Sequence, residues 1–169
     1  MSTIPQALHA AGDKISGFTV RSVDPVPEVR GRAYRIDHRE SGARILHVHC
    51  DDPENLFSIN FPTPPPDDTG VPHILEHVVL AGSERFPVRE PFFEMMKMSM
   101  ATFINAMTAP DCTYYPVASN TRKDLFNLAD VYFDAVFHPL LTMDSFKREG
   151  HHLAPTDPNN PTGSLSVTG

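Results

Sequence analysis

The chain has 169 residues, which at roughly 150 residues per domain is one domain or a little more, and enough to bury a core without a disulfide or metal staple. Lys and Arg number 14 against 21 Asp and Glu, a formal net charge of −7 that argues against a nucleic-acid or anionic-membrane surface. Two cysteines, Cys50 and Cys112, are too few for a disulfide framework or a Cys-rich zinc module; they read most simply as free thiols of a reducing compartment, with a single bridge between them as the alternative. No apolar run reaches the roughly 18 residues of a membrane span, and the first residues carry neither a secretory signal nor an Arg-rich transit segment. A cytoplasmic protein is therefore expected.

In chain order, residues 1–28 read as a polar N-terminal extension. Phe18-Thr19-Val20 is a short strand there, and Pro25 and Pro27 break any regular element. Three strands follow, at Ala33–Ile36, Ala43–His49 and Leu56–Phe61. Turns at Glu40-Ser41-Gly42 and Asp51-Asp52-Pro53 make them an antiparallel meander. The proline-rich stretch from Pro62 to Pro66 ends the third strand. Thr69 or Gly70 then caps a helix over about 71–81, with Pro72 in its first turn and Gly82 as its stop. A second helix is expected over 91–100. Strands at Thr102–Met107 and Thr113–Ala118 are separated by Ala109-Pro110-Asp111. Thr121 caps the clearest helix, 121–137, whose apolar stripe is Leu125, Leu128, Ala129, Tyr132, Phe133 and Val136. A shorter helix over 142–153 precedes a tail without periodicity. Strands first and helices later indicate an α+β fold, a mostly antiparallel sheet with helices on one face.

The chemistry concentrates at His73-Ile74-Leu75-Glu76-His77. His73 and His77 stand four apart on the predicted helix, so both imidazoles leave one face and reach a single ion at about 2.0–2.1 Å. Glu76, on the same side, is placed to take a proton from an ion-activated water, which makes it the candidate general base. The order His-x-x-Glu-His is the inverzincin signature. The plain alternative is a surface helix carrying two histidines and a solvated glutamate.

The stretch Thr69-Gly70-Val71-Pro72-His73-Ile74-Leu75-Glu76-His77 resembles the zinc helix of the presequence-protease branch of the pitrilysin family. The resemblance continues through Leu80-Ala81-Gly82-Ser83, Phe86-Pro87, Glu90-Pro91-Phe92, Thr102-Phe103-Ile104-Asn105-Ala106 and Tyr115-Pro116-Val117. Further on it takes in Lys123–Leu128, Val131–Phe137 and Glu149-Gly150, so that it spans about residues 30–153. It implies a pitrilysin-like domain over 29–153, incomplete here, with residues 154–169 a loop leading to a missing C-terminal continuation. It implies zinc, one ion per complete site, on His73 and His77, with Glu76 as base and proton shuttle. Phe103, Asn105 and Ala106 would lie on the sheet edge that receives an extended peptide as an added strand. The substrates implied are short unstructured peptides, digested between two halves of a much longer chain.

One departure from the family pattern matters. The family's third zinc ligand is a glutamate on a later helix, expected here just beyond Gly169, and a catalytic zinc normally has three protein ligands. Glu149 is an alternative ligand in this chain, and His151 or His152 are others, although in the family pattern Glu149 matches a supporting acid. Spacing alone leaves cobalt and manganese open.

The leading expectation is thus a zinc metalloendopeptidase, with this chain a fragment inactive by itself. The second reading is a non-catalytic domain of the same fold, used for peptide capture or subunit assembly. A third is metal storage through His47 and His49, which share one face of a strand. Met95, Met96, Met98 and Met100 read as core packing rather than a sulfur site.

Overall fold

The computed structural model describes residues 6–88, 91–150, 152–160 and 162–168, apart from the side chains of His152 and Thr168. It has two compact units, Met1–Pro53 and Glu54–Gly169, and every strand pairing is antiparallel.

The first unit is a four-stranded sheet of β1 (Lys14–Ile15), β2 (Phe18–Val26), β3 (Gly31–His38) and β4 (Arg44–His49), in that order. β2 is longer than expected and runs through Pro25, which pairs with Arg32. The reason lies in the neighbours. β1 pairs with Phe18 and Thr19, so further along, among the described residues, β2 has an open side, where a strand proline is tolerated. Pro27 instead opens a short 3-10 turn, Pro27–Val29. Gly31 is obligatory for packing, since a Cβ there would meet the His49 carbonyl oxygen at 2.7 Å and Cys50 Cβ at 2.9 Å. Val20, Ala33 and Tyr34 are buried.

The second unit holds the helices. Its main sheet runs β5 (Asn55–Pro62), β8 (Cys112–Ser119), β6 (Ala101–Ile104), with β7 (Met107–Thr108) also paired to β8. The expected meander therefore fails at its third strand, because β5 pairs with β8 and not with β4. β8 is the most buried strand, with Val117 fully covered, and it offers Phe57 and Phe61 of β5 an apolar core that a solvent-facing hairpin would lack. The predicted strand 102–107 is broken at Asn105–Ala106, opposite Pro116.

Among the described residues four α-helices complete the unit: α1 (Val71–Val79), α2 (Pro91–Met98), α3 (Arg122–Phe137) and α4 (Met143–Glu149). α3 packs on β8 and β5, burying Leu128, Tyr132 and Ala135 against Val79, Leu80, Tyr115 and Val117. Phe133, expected in the stripe, is 52% exposed and lies 4.6 Å from Phe137, centroid to centroid. Its place in the core is taken by Ala135, because the buried face is centred on Tyr132. Of the α2 and nearby methionines only Met95 packs on the core, while Met96, Met98 and Met100 are exposed. α4 stops at Glu149, short of the predicted 153, where Gly150 N donates to Phe146 O. The tail then forms a hairpin of β9 (His152–Pro155) and β10 (Leu165–Thr168).

A clamp sets the far end of α1. The loop after it, turning at Gly82 with φ +145°, is held to the end of α3 by Leu140 N→Gly82 O and Glu84 N→His138 O. Arg85 adds a bidentate pair to Asp130 at 2.8 Å and an N–H bond to Asp134 Oδ2. α1 is thus fixed against the core before any ligand is considered.

Candidate metal and peptide-binding site

α1 starts at Gly70, whose φ of +73° is open to glycine at little cost, with Pro72 in the first turn. The helix phase then buries Glu76, Val78 and Val79 and leaves His73 and His77 exposed. Ligand atoms of His73, Glu76 and His77 all lie within 4.8 Å of one another. The two imidazole rings are 4.9 Å apart at 83°. Two imidazole nitrogens converging from one helix turn suit zinc by donor type, with the Glu76 carboxylate beside them.

Around this cluster stand three groups from distant segments. Glu149 Oε2 lies 3.1 Å from His77 Nδ1, so with Nδ1 as donor the Nε2 lone pair is the one left for an ion. Glu149 also accepts from Arg148 Nε at 2.7 Å. Burial raises the Glu149 carboxyl, but the hydrogen bonds from Arg148 and His77 outweigh it and hold the group below the usual range. The third group is Thr108, whose Oγ1 donates to Glu76 Oε2 at 2.8 Å. Below the site, burial pushes the Tyr115 hydroxyl up to about 12, with the charge of Glu76 adding to the shift. Tyr132 is pushed up for the same reasons, so both phenols are donors at neutral pH.

Glu76 and His77 open on a cleft of about 440 Å³ that is also lined by Leu80, Phe92, Phe93 and Asn105. Ala106, Arg148 and Glu149 reach the same cleft. Asn105 and Ala106 are half-buried and Phe103 is exposed. Asn105 is fixed at three points: its N–H donates to Pro116 O at 3.1 Å, its carbonyl accepts from Tyr132 Oη at 3.2 Å, and its Oδ1 accepts from Ala106 N at 3.0 Å. Among the described residues β6 has no strand on the side away from β8.

Five sequence-predicted residues therefore come together: His73, Glu76 and His77 on α1, and Asn105 and Ala106 at the cleft. Glu149 arrives as well, as a partner of His77 and outside the three-residue cluster. His151, Glu90 and Gly169 lie outside the described residues, and so does the His152 side chain. His47 and His49 belong to the first unit, with rings 6.3 Å apart, and join no metal-binding group among the described residues. Sequence reasoning passed over Thr108 and the two aromatics of α2. The only sequence signal for Thr108 is its even spacing from Ala106, which on a strand gives a shared face.

The family described as Insulinase (Peptidase family M16) matches residues 63–155. The protein named presequence protease, mitochondrial, of Xenopus tropicalis is 51% identical over 156 residues, covering 90% of this chain and 15% of that protein. Its namesake from Mus musculus is 48% identical over 161 residues, covering 95% and 16%. The crystal structure of pitrilysin aligns at TM-score 0.62 with 27% identity, over 83% of this chain and 15% of that one. The chain thus spans about 15% of the length of the curated relatives it matches. The expected cytoplasmic location is overturned, because these relatives are named as mitochondrial and point to that organelle. That expectation rested on the lack of an Arg-rich opening segment, and a lack of this kind carries no address. A pitrilysin-like α+β fold, a family match over its helical unit and relatives near 50% identity lead to one conclusion: the chain belongs to peptidase family M16, the insulinase family.

Proposed function

We propose that the full-length protein carrying this chain is a zinc metalloendopeptidase that degrades short unstructured peptides, with Glu76 as its base. The observation that carries the proposal is the convergence of His73, Glu76 and His77 within 4.8 Å of one another, with Glu76 and His77 lining a cleft. His73 and His77 hold the ion, and Glu149 orients His77 through Nδ1. Because the Glu149 carboxylate is already engaged by His77 and Arg148, the third protein ligand comes from outside the described residues. When bound, zinc supplies Lewis acidity toward a carbonyl oxygen and toward water.

The chain's own groups do the rest. A peptide lies extended along Phe103–Ala106, adding a strand to the open edge of β6 through main-chain hydrogen bonds. Leu80, Phe92 and Phe93 receive an apolar side chain and exclude water. Glu76 takes the proton of the attacking water and passes it to the departing amine nitrogen. Among the described residues no further ligand joins the cluster, and the resemblance implies a second half that closes a chamber, so the 169 residues alone are expected to be nearly inactive.

The test uses the full-length protein and a fluorogenic unstructured peptide. Cleavage is expected, with loss on chelation, recovery on adding zinc, and a drop of at least about a thousandfold in Glu76→Gln, the general acid–base contribution being of that order. The same assay on the 169-residue chain should give only traces. Cleavage that survives both chelation and Glu76→Gln would overturn the reading of a zinc enzyme with Glu76 as base, and no cleavage by the wild-type protein would overturn the peptidase reading.

A further inference from the structure

Glu76 is 6% exposed, and a carboxylate so covered has to be given hydrogen bonds by the protein. The donor is Thr108, at 2.8 Å from Oε2. Thr108 sits 32 residues away in the chain, and nothing about its sequence position demands this contact.

Two features set the contact apart from the routine satisfaction of a buried acid. First, it is made to one oxygen. With Oε2 held by a hydroxyl, the other oxygen is the one that receives a proton, so the bond selects both the rotation of the carboxylate and the atom that acts. Second, the donor itself is rigid. Threonine is stiff at χ1. The backbone of β7 is held to β8 by Met107↔Tyr114 and Thr108↔Thr113, and Ala109 N→Cys112 O at 2.8 Å closes the hairpin. Across the pair, Thr113 Oγ1 is locked at 2.7 Å to Thr63 Oγ1. The hydroxyl is thus presented from a fixed ladder and not from a mobile loop, as a group that must aim another side chain should be.

We propose that Thr108 is a positioning residue for Glu76: its hydroxyl holds Oε2 and thereby directs the opposite oxygen toward the reacting water. The same short segment carries Asn105 and Ala106 at the cleft, so the peptide-receiving edge and the base are held by one ribbon. This inference rests on the peptidase reading above and names a residue which that reading does not require.

The test compares Thr108→Val, which keeps the shape without the hydroxyl, with Thr108→Ser, which keeps the hydroxyl, both in the full-length protein. Thr108→Val is expected to lower kcat by about 10- to 100-fold, the range for groups that orient an active-site residue, with KM within about twofold. Thr108→Ser should retain most of kcat. Zinc affinity, read by competition with a chromophoric chelator, should match wild type in both, because Glu76 is not expected to ligate. Thr108→Ala gives the same readout if the valine variant is poorly folded by thermal melting. Unchanged kcat in Thr108→Val, an effect confined to KM, a parallel loss of zinc affinity, or equal damage in Thr108→Ser would each overturn the proposal. Wild-type protein without zinc- and Glu76-dependent cleavage would instead bring down the peptidase reading and this proposal together.

Discussion

Glu149 shows how one residue is read differently by sequence and by geometry. As the only glutamate after Glu94 it stood out as an acid available to a metal, yet its oxygens face His77 Nδ1 and Arg148 Nε. On the proposed reading its contribution to an ion would be indirect, through the orientation and basicity of His77. Replacing Glu149 by Gln in the full-length protein should weaken zinc binding by about 10- to 100-fold, measured by chelator competition, with the fold unchanged by circular dichroism. Equal affinities would mean that His77 needs no such partner. The three residues of His73, Glu76 and His77 were legible because an i, i+3, i+4 arrangement is local and any helix enforces it. Thr108 was not, since its bond to Glu76 depends on how a hairpin from another part of the chain docks under α1.

At the scale of elements, the break between β6 and β7 has a specific chemical origin. The register places Asn105 opposite Pro116, in a position where paired residues normally exchange two bonds. Asn105 N–H donates to the Pro116 carbonyl, but proline has no N–H to return. The orphaned Asn105 carbonyl is taken by the Tyr132 hydroxyl from α3, which ties sheet and helix together directly below the cleft. Tyr132→Phe should therefore cost about 1–2 kcal/mol, the penalty for leaving a covered carbonyl without its donor, read by urea denaturation. Pro116→Ala restores a backbone donor at that spot and should reduce the cost of Tyr132→Phe when the two are combined. Strict additivity of the two changes would sink this account. The helices α1 and α3 could be read from spacing and stripe, since those signals lie within each segment, although Thr121 stands at the N-cap of α3 without a side-chain hydrogen bond to it. Partner choice could not: β5 looked like the next strand of a meander, and only the burial of β8 explains why it pairs there instead. β2 was misjudged at Pro25 for a related reason, because a strand proline forfeits only the one ladder bond its missing N–H would make, and at Pro25 that loss falls where β1 does not reach.

At the scale of the whole molecule, the first unit carries its own titratable weakness. His47 lines a cleft of about 480 Å³ with Phe18, Val20, Tyr34, Ile36 and Ile45. Burial there, and then the neighbouring charge of His49, lower its pKa below 6.5. A histidine lowered on folding binds protons more readily in the unfolded chain. Its stabilising effect is therefore complete above the unfolded value and is lost as pH falls from about 6.5 through the folded value. Because the ring is open to solvent on one side, the effect is modest. His47→Asn should flatten the decline in melting temperature of this chain between pH 7 and 5 relative to wild type, and identical slopes would contradict it. The α+β class and the pitrilysin likeness were visible in the sequence at this scale as well, carried by motifs in fixed order from residue 69 onward. The location was not, because an organelle is specified by a receptor-read address and not by the physics of a folded domain.

The ribbon that joins Asn105 to Thr108 also fixes how much chain can lie between them. Only Ala106 and Met107 intervene. One inserted residue would flip the Thr108 side chain to the opposite face, and two would restore its face but carry it about 6–7 Å along the strand. Either change separates the hydroxyl from Glu76, whose own place is pinned by the Gly82 clamp. This stretch therefore has a fixed length, as a ruler does. Tolerance for insertions falls instead on the stretch from Pro64 to Gly70 and on the turn between β9 and β10, where no side chain has to arrive at a set distance from Glu76.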